Sequence, residues 1–209
     1  MSESSRESNL IKLPEEQSLE SAKEAVEWLP ITSDLERTDL ILTLFDFKVG
    51  TEINPPDQML TEMTTEILHN LGLFFVTGKE GKWYVAKSQG DAQKLHQVFE
   101  VTENIREQGR MSGYPESAVE NYTITMDQIR TPGKTEKEIY IILKESFGGL
   151  KVPTEILNED FMAFLSFELS AGNWQGELEV VEKWAEAISK FDPLLYKRMV
   201  DSYHFRTTR

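Results

Sequence analysis

Residues 73–88, LFFVTGKEGKWYVAKS, interrupt a chain whose pattern is otherwise largely helical. Two runs rich in aromatic and branched side chains, Leu73 to Thr77 and Lys82 to Lys87, flank Gly78-Lys79-Glu80-Gly81, which is the pattern of a β-hairpin with a glycine-containing loop. A glycine followed by lysine invites comparison with a phosphate-binding loop. The two glycines stand too close for GxxxxGK[ST], however, Trp83 follows Lys82, and strands rather than a helix flank the turn. Side chains alternate across a strand, so one of Trp83 and Tyr84 is expected to face outward.

Around the hairpin the apolar residues recur at helical spacing. Ser18 reads as the cap of a helix whose stripe is Leu19, Ala22, Ala25, Val26 and Leu29 and which has ended by Pro30. Leu60, Met63, Ile67 and Leu71 form a second stripe ended by Gly72. A long helix is expected from Asp91 to Gln108, with Gly109 as its stop. Thr135 to Glu138 is a capping box ahead of IYIILKESF, with Gly148-Gly149 ending that helix. Asn173 opens a helix with Trp174, Leu178, Val181, Ala185 and Ile188 on its dry side and Glu177, Glu179, Glu182, Lys183 and Glu186 on its wet side. Asp192-Pro193 starts the last helix.

Two further segments read as strands: Asp39 to Val49, where Leu40 to Phe45 could instead extend a helix, and Asp160 to Leu169, where Phe161, Ala163, Leu165, Phe167 and Leu169 alternate. With no βαβ rhythm, the expectation is a helix-rich α+β fold in which several amphipathic helices pack on a small sheet that includes the hairpin at residues 73–87. The polar residues 1–17 read as a flexible tail, and residues 18–209 as a single α+β domain.

The net charge of −14 opposes attraction to a nucleic-acid backbone. No apolar run reaches the roughly 18–20 residues of a membrane span, and the N-terminus lacks a signal-peptide core, so no membrane association is expected and a cytoplasmic location follows. The absence of cysteine removes disulfides, thiolate nucleophiles and sulfur-ligated metal sites. His69, His96 and His204 are scattered and match no metal-binding spacing, and no serine sits in a nucleophile elbow. No metal or cofactor is therefore expected.

RMSGYPESAVENY, residues 110–122, reads as a corner between helices: Gly113 takes a conformation other residues avoid, Pro115 and Glu116 begin the next helix, and Ala118, Val119 and Tyr122 form its inner face. The segment GYPESAV resembles the Gly-Tyr-Pro-Glu-Cys-Cys segment of a family of uncharacterised prokaryotic proteins. SFELSAGNWQGELEVVEKWAEAISKFDPLLYKRM is similar to that family's downstream block, in which further cysteines precede a helix and an Asp-Pro-x-x-Tyr turn. The resemblance implies metal binding by those cysteines in the relatives. Here Ser117 and Ala118 stand in place of the cysteine pair, and Leu169-Ser170 and Asn173-Trp174 in place of the others. It further implies that the two blocks meet, which would assemble Arg106, Arg110, Tyr114, Asn173 and Trp174 into a pocket for a small anionic ligand.

The functional expectation is a non-catalytic cytoplasmic protein that binds a protein partner or a small anionic ligand. The alternative is a metal-independent enzyme working through carboxylate and arginine side chains. Among the many acids, Glu177 and Glu179 are the pair to inspect, although a solvated helix face accounts for both.

Overall fold

The computed structural model describes residues 16–31, 33–54, 58–146 and 152–207. The tail expected at residues 1–17 lies almost wholly outside them, as does Gly148-Gly149. The fold is helix-rich α+β with one small antiparallel sheet.

Helix α1 runs from Glu16 to Trp28, so Ser18 sits inside it rather than capping it. Helix α2, Asp34–Leu44, replaces the strand expected at 39–49 and begins at Ser33, whose hydroxyl accepts the Glu36 N–H. Leu40, Ile41, Leu42 and the two threonines Thr38 and Thr43 are all buried. A helix buried on more than one side carries a continuous apolar run, which by sequence is indistinguishable from a core strand. The threonines are satisfied without a sheet, since each hydroxyl donates to the carbonyl four residues back, Thr38 to Asp34 and Thr43 to Asp39.

Strand β1, Gly50–Ile53, follows, then α3, Thr61–Asn70, and the hairpin strands β2, Phe74–Thr77, and β3, Trp83–Ala86. The sheet order is β1-β3-β2, both pairs antiparallel, with Ile53 and Thr77 on either side of Trp83. Because β3 is central and helices cover both faces, neither Trp83 nor Tyr84 faces solvent, contrary to the sequence expectation. Trp83 and Val85 pack with Leu40, Leu68 and Leu73, while Tyr84 and Ala86 pack with Leu95, Val98 and Met111 on the other face.

Helix α4, Gln89–His96, is capped by Ser88, passes into a π-helical turn at Gln97–Val101 and stops. Glu103 takes a positive φ of 46°, and Asn104 caps a separate helix α5, Ile105–Met111, by accepting the Glu107 N–H. The single helix expected over 91–108 is therefore two. Asn104 offers a side-chain cap where a continuing helix would need only backbone, and the π turn carries Glu100 to the hairpin loop, where its carboxylate accepts the Lys79 N–H at 2.7 Å and the Tyr84 hydroxyl at 3.1 Å.

Helices α6, Glu116–Arg130, and α7, Glu136–Ser146, pair with each other, and Thr135 and Glu138 form the expected capping box. A short helix α8, Thr154–Leu157, leads to a 3-10 turn at Asp160–Phe164 and an extended segment that pairs with no strand. That corrects the strand expected at 160–169. The alternating set does not share a buried face: Met162, Phe164 and Leu169 enter the main core, and Phe161, Ala163, Leu165 and Phe167 pack at its margin. The main core lies between this segment, α2, α9 (Trp174–Phe191) and α10 (Pro193–Thr207), centred on Val181, Trp184, Ile188 and Leu195. Asp192 caps α10 through the Leu195 N–H.

Candidate functional site

The α5–α6 corner is built by backbone chemistry. The Gly113 N–H donates to the Arg110 carbonyl and the Tyr114 N–H to the Gly109 carbonyl, the paired bonds that end a helix at a left-handed residue. Gly113 has φ 73°, and a Cβ there would collide with the Phe47 carbonyl oxygen. Gly109 does not stop α5. It lies within it, buried, where a Cβ would stand 2.8 Å from Val119 Cγ2, so its role is to let α5 and α6 approach closely.

Arg110 joins the two helices. Its guanidinium grips the Glu116 carboxylate through Nε at 3.0 Å and Nη2 at 2.5 Å, while Nη1 donates to Glu107 at 2.8 Å. The same contacts hold the Glu107 and Glu116 carboxyls below their ordinary range. Two carboxylates thus occupy the donors that an anionic ligand would need.

The two blocks of sequence do meet. Glu177 is fully buried at the start of α9, against the expectation of a wet face. Its Oε1 accepts from Ser117 Oγ at 2.6 Å and Ser170 Oγ at 2.5 Å, and its Oε2 accepts the Ser170 N–H at 2.7 Å. Asn173 Nδ2 donates to Ser117 Oγ at 3.0 Å. Ser117 lies in the first turn of α6 and Glu177 in the first turn of α9, where partial positive charge favours a carboxylate. A sequence signal existed: Glu177 is three residues after Trp174 and four before Val181, which puts it on the apolar stripe rather than opposite it.

A cleft of about 640 Å³ opens between α5, α6 and residues 165–168. Four aromatic rings line it: Phe99 from the π turn, Tyr114 from the corner, Tyr122 from α6 and Phe167 from the extended segment. Tyr114 and Phe167 lie 5.2 Å apart, and both contact the buried Trp184 ring, at 6.4 and 5.9 Å. Ser166 also lines the cleft, and its buried hydroxyl has no hydrogen-bond partner. Among the described residues of the lining, Glu168 is the charged one.

Of the five residues expected to share a pocket, Tyr114 lines this cleft. Arg110 instead borders a smaller cavity of about 320 Å³ beside Lys48 and Lys87. Arg106 is exposed on α5, Asn173 belongs to the Glu177 cluster, and Trp174 packs half-buried on the main core. Phe99, Phe167 and Glu168 were missed because one lies in a π turn and the others in a segment whose alternation imitates a strand. Lys48 was missed as well. Although it is a lysine it is buried, with Nζ 2.6 Å from Asp39 Oδ1 and 5.1 Å from the Trp184 ring centre.

Among the described residues no three of His, Asp and Glu come together in a group that could hold a metal ion, and no helix is long and apolar enough to cross a membrane. No protein-family model matches the chain, and searches of curated proteins and of solved structures give no match.

Proposed function

We propose that this is a non-catalytic, cytoplasmic binding protein that holds a small molecule in the cleft between the α5–α6 corner and residues 165–168. The single observation that carries the reading is the cleft itself: about 640 Å³, within the roughly 300–1,000 Å³ of small-molecule sites, mostly apolar in its walls, with a few polar groups at set positions. The enzyme alternative loses ground because the buried carboxylate of Glu177 is already saturated by donors from its own chain. An anionic ligand loses ground because, among the described residues, no lysine or arginine lines the cleft.

A thermal-shift screen of small molecules tests the proposal, since a ligand at a hundredfold excess over Kd adds about 2.7 kcal/mol to stability. A compound that raises the melting temperature of the parent but not of Ser112→Trp, which fills the cleft, supports it. A compound that stabilises both equally binds elsewhere and overturns it.

Recognition of a protein partner is favoured by a separate observation. Tyr140, Ile141 and Leu143 are exposed on α7, by 65%, 41% and 37%. The occupant that fits is a second copy of this chain, because antiparallel pairing of α7 about Ile141 sets Lys137 against Glu145 at both ends. Light scattering checks this: a dimer that Ile141→Glu dissociates supports the pairing, and a monomer at all concentrations excludes it.

A further inference from the structure

We infer that the ligand of the cleft is an organic cation, an alkylated ammonium group carried on a small body; this rests on the cleft being a binding site at all. The electrostatics of the lining point in one direction. Phe99, Tyr114, Tyr122 and Phe167 line a common space, the Tyr114 ring already has the buried Lys48 ammonium 5.6 Å from its centre, and aromatic rings attract a cation whose charge is spread over methyl groups. Among the described residues the formal charge at the wall is the carboxylate of Glu168, which is exposed, and no cationic side chain lines the cleft with it.

A carboxylate ligand would meet the repulsion of Glu168, with the nearest guanidinium of the corner engaged by Glu107 and Glu116. A neutral ligand would gain the apolar contact alone. An ammonium gains the rings and the carboxylate together, and the net charge of −14 raises its local concentration around the whole molecule.

Three probes of matched shape separate the possibilities: choline, its neutral counterpart 3,3-dimethylbutan-1-ol, and the anion 3,3-dimethylbutanoate, with benzyltrimethylammonium as a larger cation. Each is titrated into the ¹⁵N-labelled full chain while amide shifts of residues 105–122 and 165–168 are followed. The expected result is saturable shifts there with one of the cations, at a Kd at least about tenfold below that of the alcohol, as expected for desolvated cation–ring contacts. Glu168→Gln, an exposed change that leaves the fold intact, weakens the cation about threefold to fivefold and leaves the alcohol unchanged. Equal affinity for cation and alcohol, or tighter binding of the anion, overturns the charge class while the cleft remains a binding site. No shift in these segments with any probe overturns the cation inference, and if the compound screen also yields nothing that Ser112→Trp blocks, the binding reading falls with it.

Discussion

Ser117 Oγ lies 2.6 Å from Glu177 Oε1, a hydrogen bond between residues sixty positions apart that ties the first turn of α6 to the first turn of α9. Ser170 completes the cluster from the extended segment, so one carboxylate, with the Asn173–Ser117 hydrogen bond beside it, ties together three parts of the chain. Everything that lines the cleft is carried on these parts or on the neighbouring α5 and π turn.

Glu177→Ala strands two hydroxyls and an N–H without an acceptor in a buried site. A loss of about 3 kcal/mol in urea unfolding is expected, against less than about 0.5 kcal/mol for Glu179→Ala on the exposed face of the same helix. Equal effects at the two positions would contradict the structural role assigned to Glu177.

Gly113→Ala combines a positive φ with a collision against the Phe47 carbonyl, whereas Gly133→Ala meets a positive φ and open space. The first substitution is expected to cost more than about 2 kcal/mol and the second about 1 kcal/mol, read from the shift in denaturation midpoint at constant slope.

The Arg110 contacts depress Glu107 and Glu116 below their ordinary value of 4.5. A depressed carboxyl contributes stability above its unfolded pKa and loses that contribution as pH falls through the folded value. Arg110→Met should therefore be less stable than the parent at pH 7, and the two curves should converge as pH falls below about 4.5. Parallel curves down to pH 3 would show that the contacts carry no proton linkage.

Burial, then the nearby Glu52 and Glu100, raise the Tyr84 phenol above its ordinary value of 10.0. The neutral phenol is favoured in the fold, so its contribution is complete below pH 10 and is lost as pH climbs above it. Ultraviolet titration should show late-ionising tyrosines, and Tyr84→Phe should shrink that delayed step, to which Tyr196 and Tyr203, raised mainly by burial, also contribute.

Asp39→Asn leaves the buried Lys48 ammonium without its counter-ion and should cost about 3 kcal/mol, while the double change with Lys48→Met should recover much of that loss. Strictly additive losses in urea unfolding would show that the two side chains are not energetically paired.

What the residues revealed in advance depended on whether local chemistry or tertiary contact decided the outcome. Gly72 and Gly113 were legible as helix ends because a left-handed residue is nearly a glycine signature. Asp46 ends α2 with the same pair of bonds at φ 62° and left no such sign. The hairpin was legible from its loop. The burial of both Trp83 and Tyr84 was not, because it depends on β1, whose Ile53 pairs with Trp83 thirty positions on, to make β3 central. At the candidate site, Tyr114 lines the cleft and Ser117 meets Glu177. The charge of the cleft was not legible, because the pairing of Arg110 with Glu107 and Glu116 across a helix corner is a property of geometry that composition does not carry.

Residues 165–168 bridge two fixed posts, Phe164 sunk in the main core and Ser170 pinned by Glu177. Among the described residues no ladder of strand bonds ties this span to a neighbour, so exchange of its side chains disturbs no register, while Leu165 and Phe167 rest on the margin of the main core. A lineage carrying this fold has a short, replaceable panel with which to retune what the cleft admits, while the framework that holds the panel stays as it is.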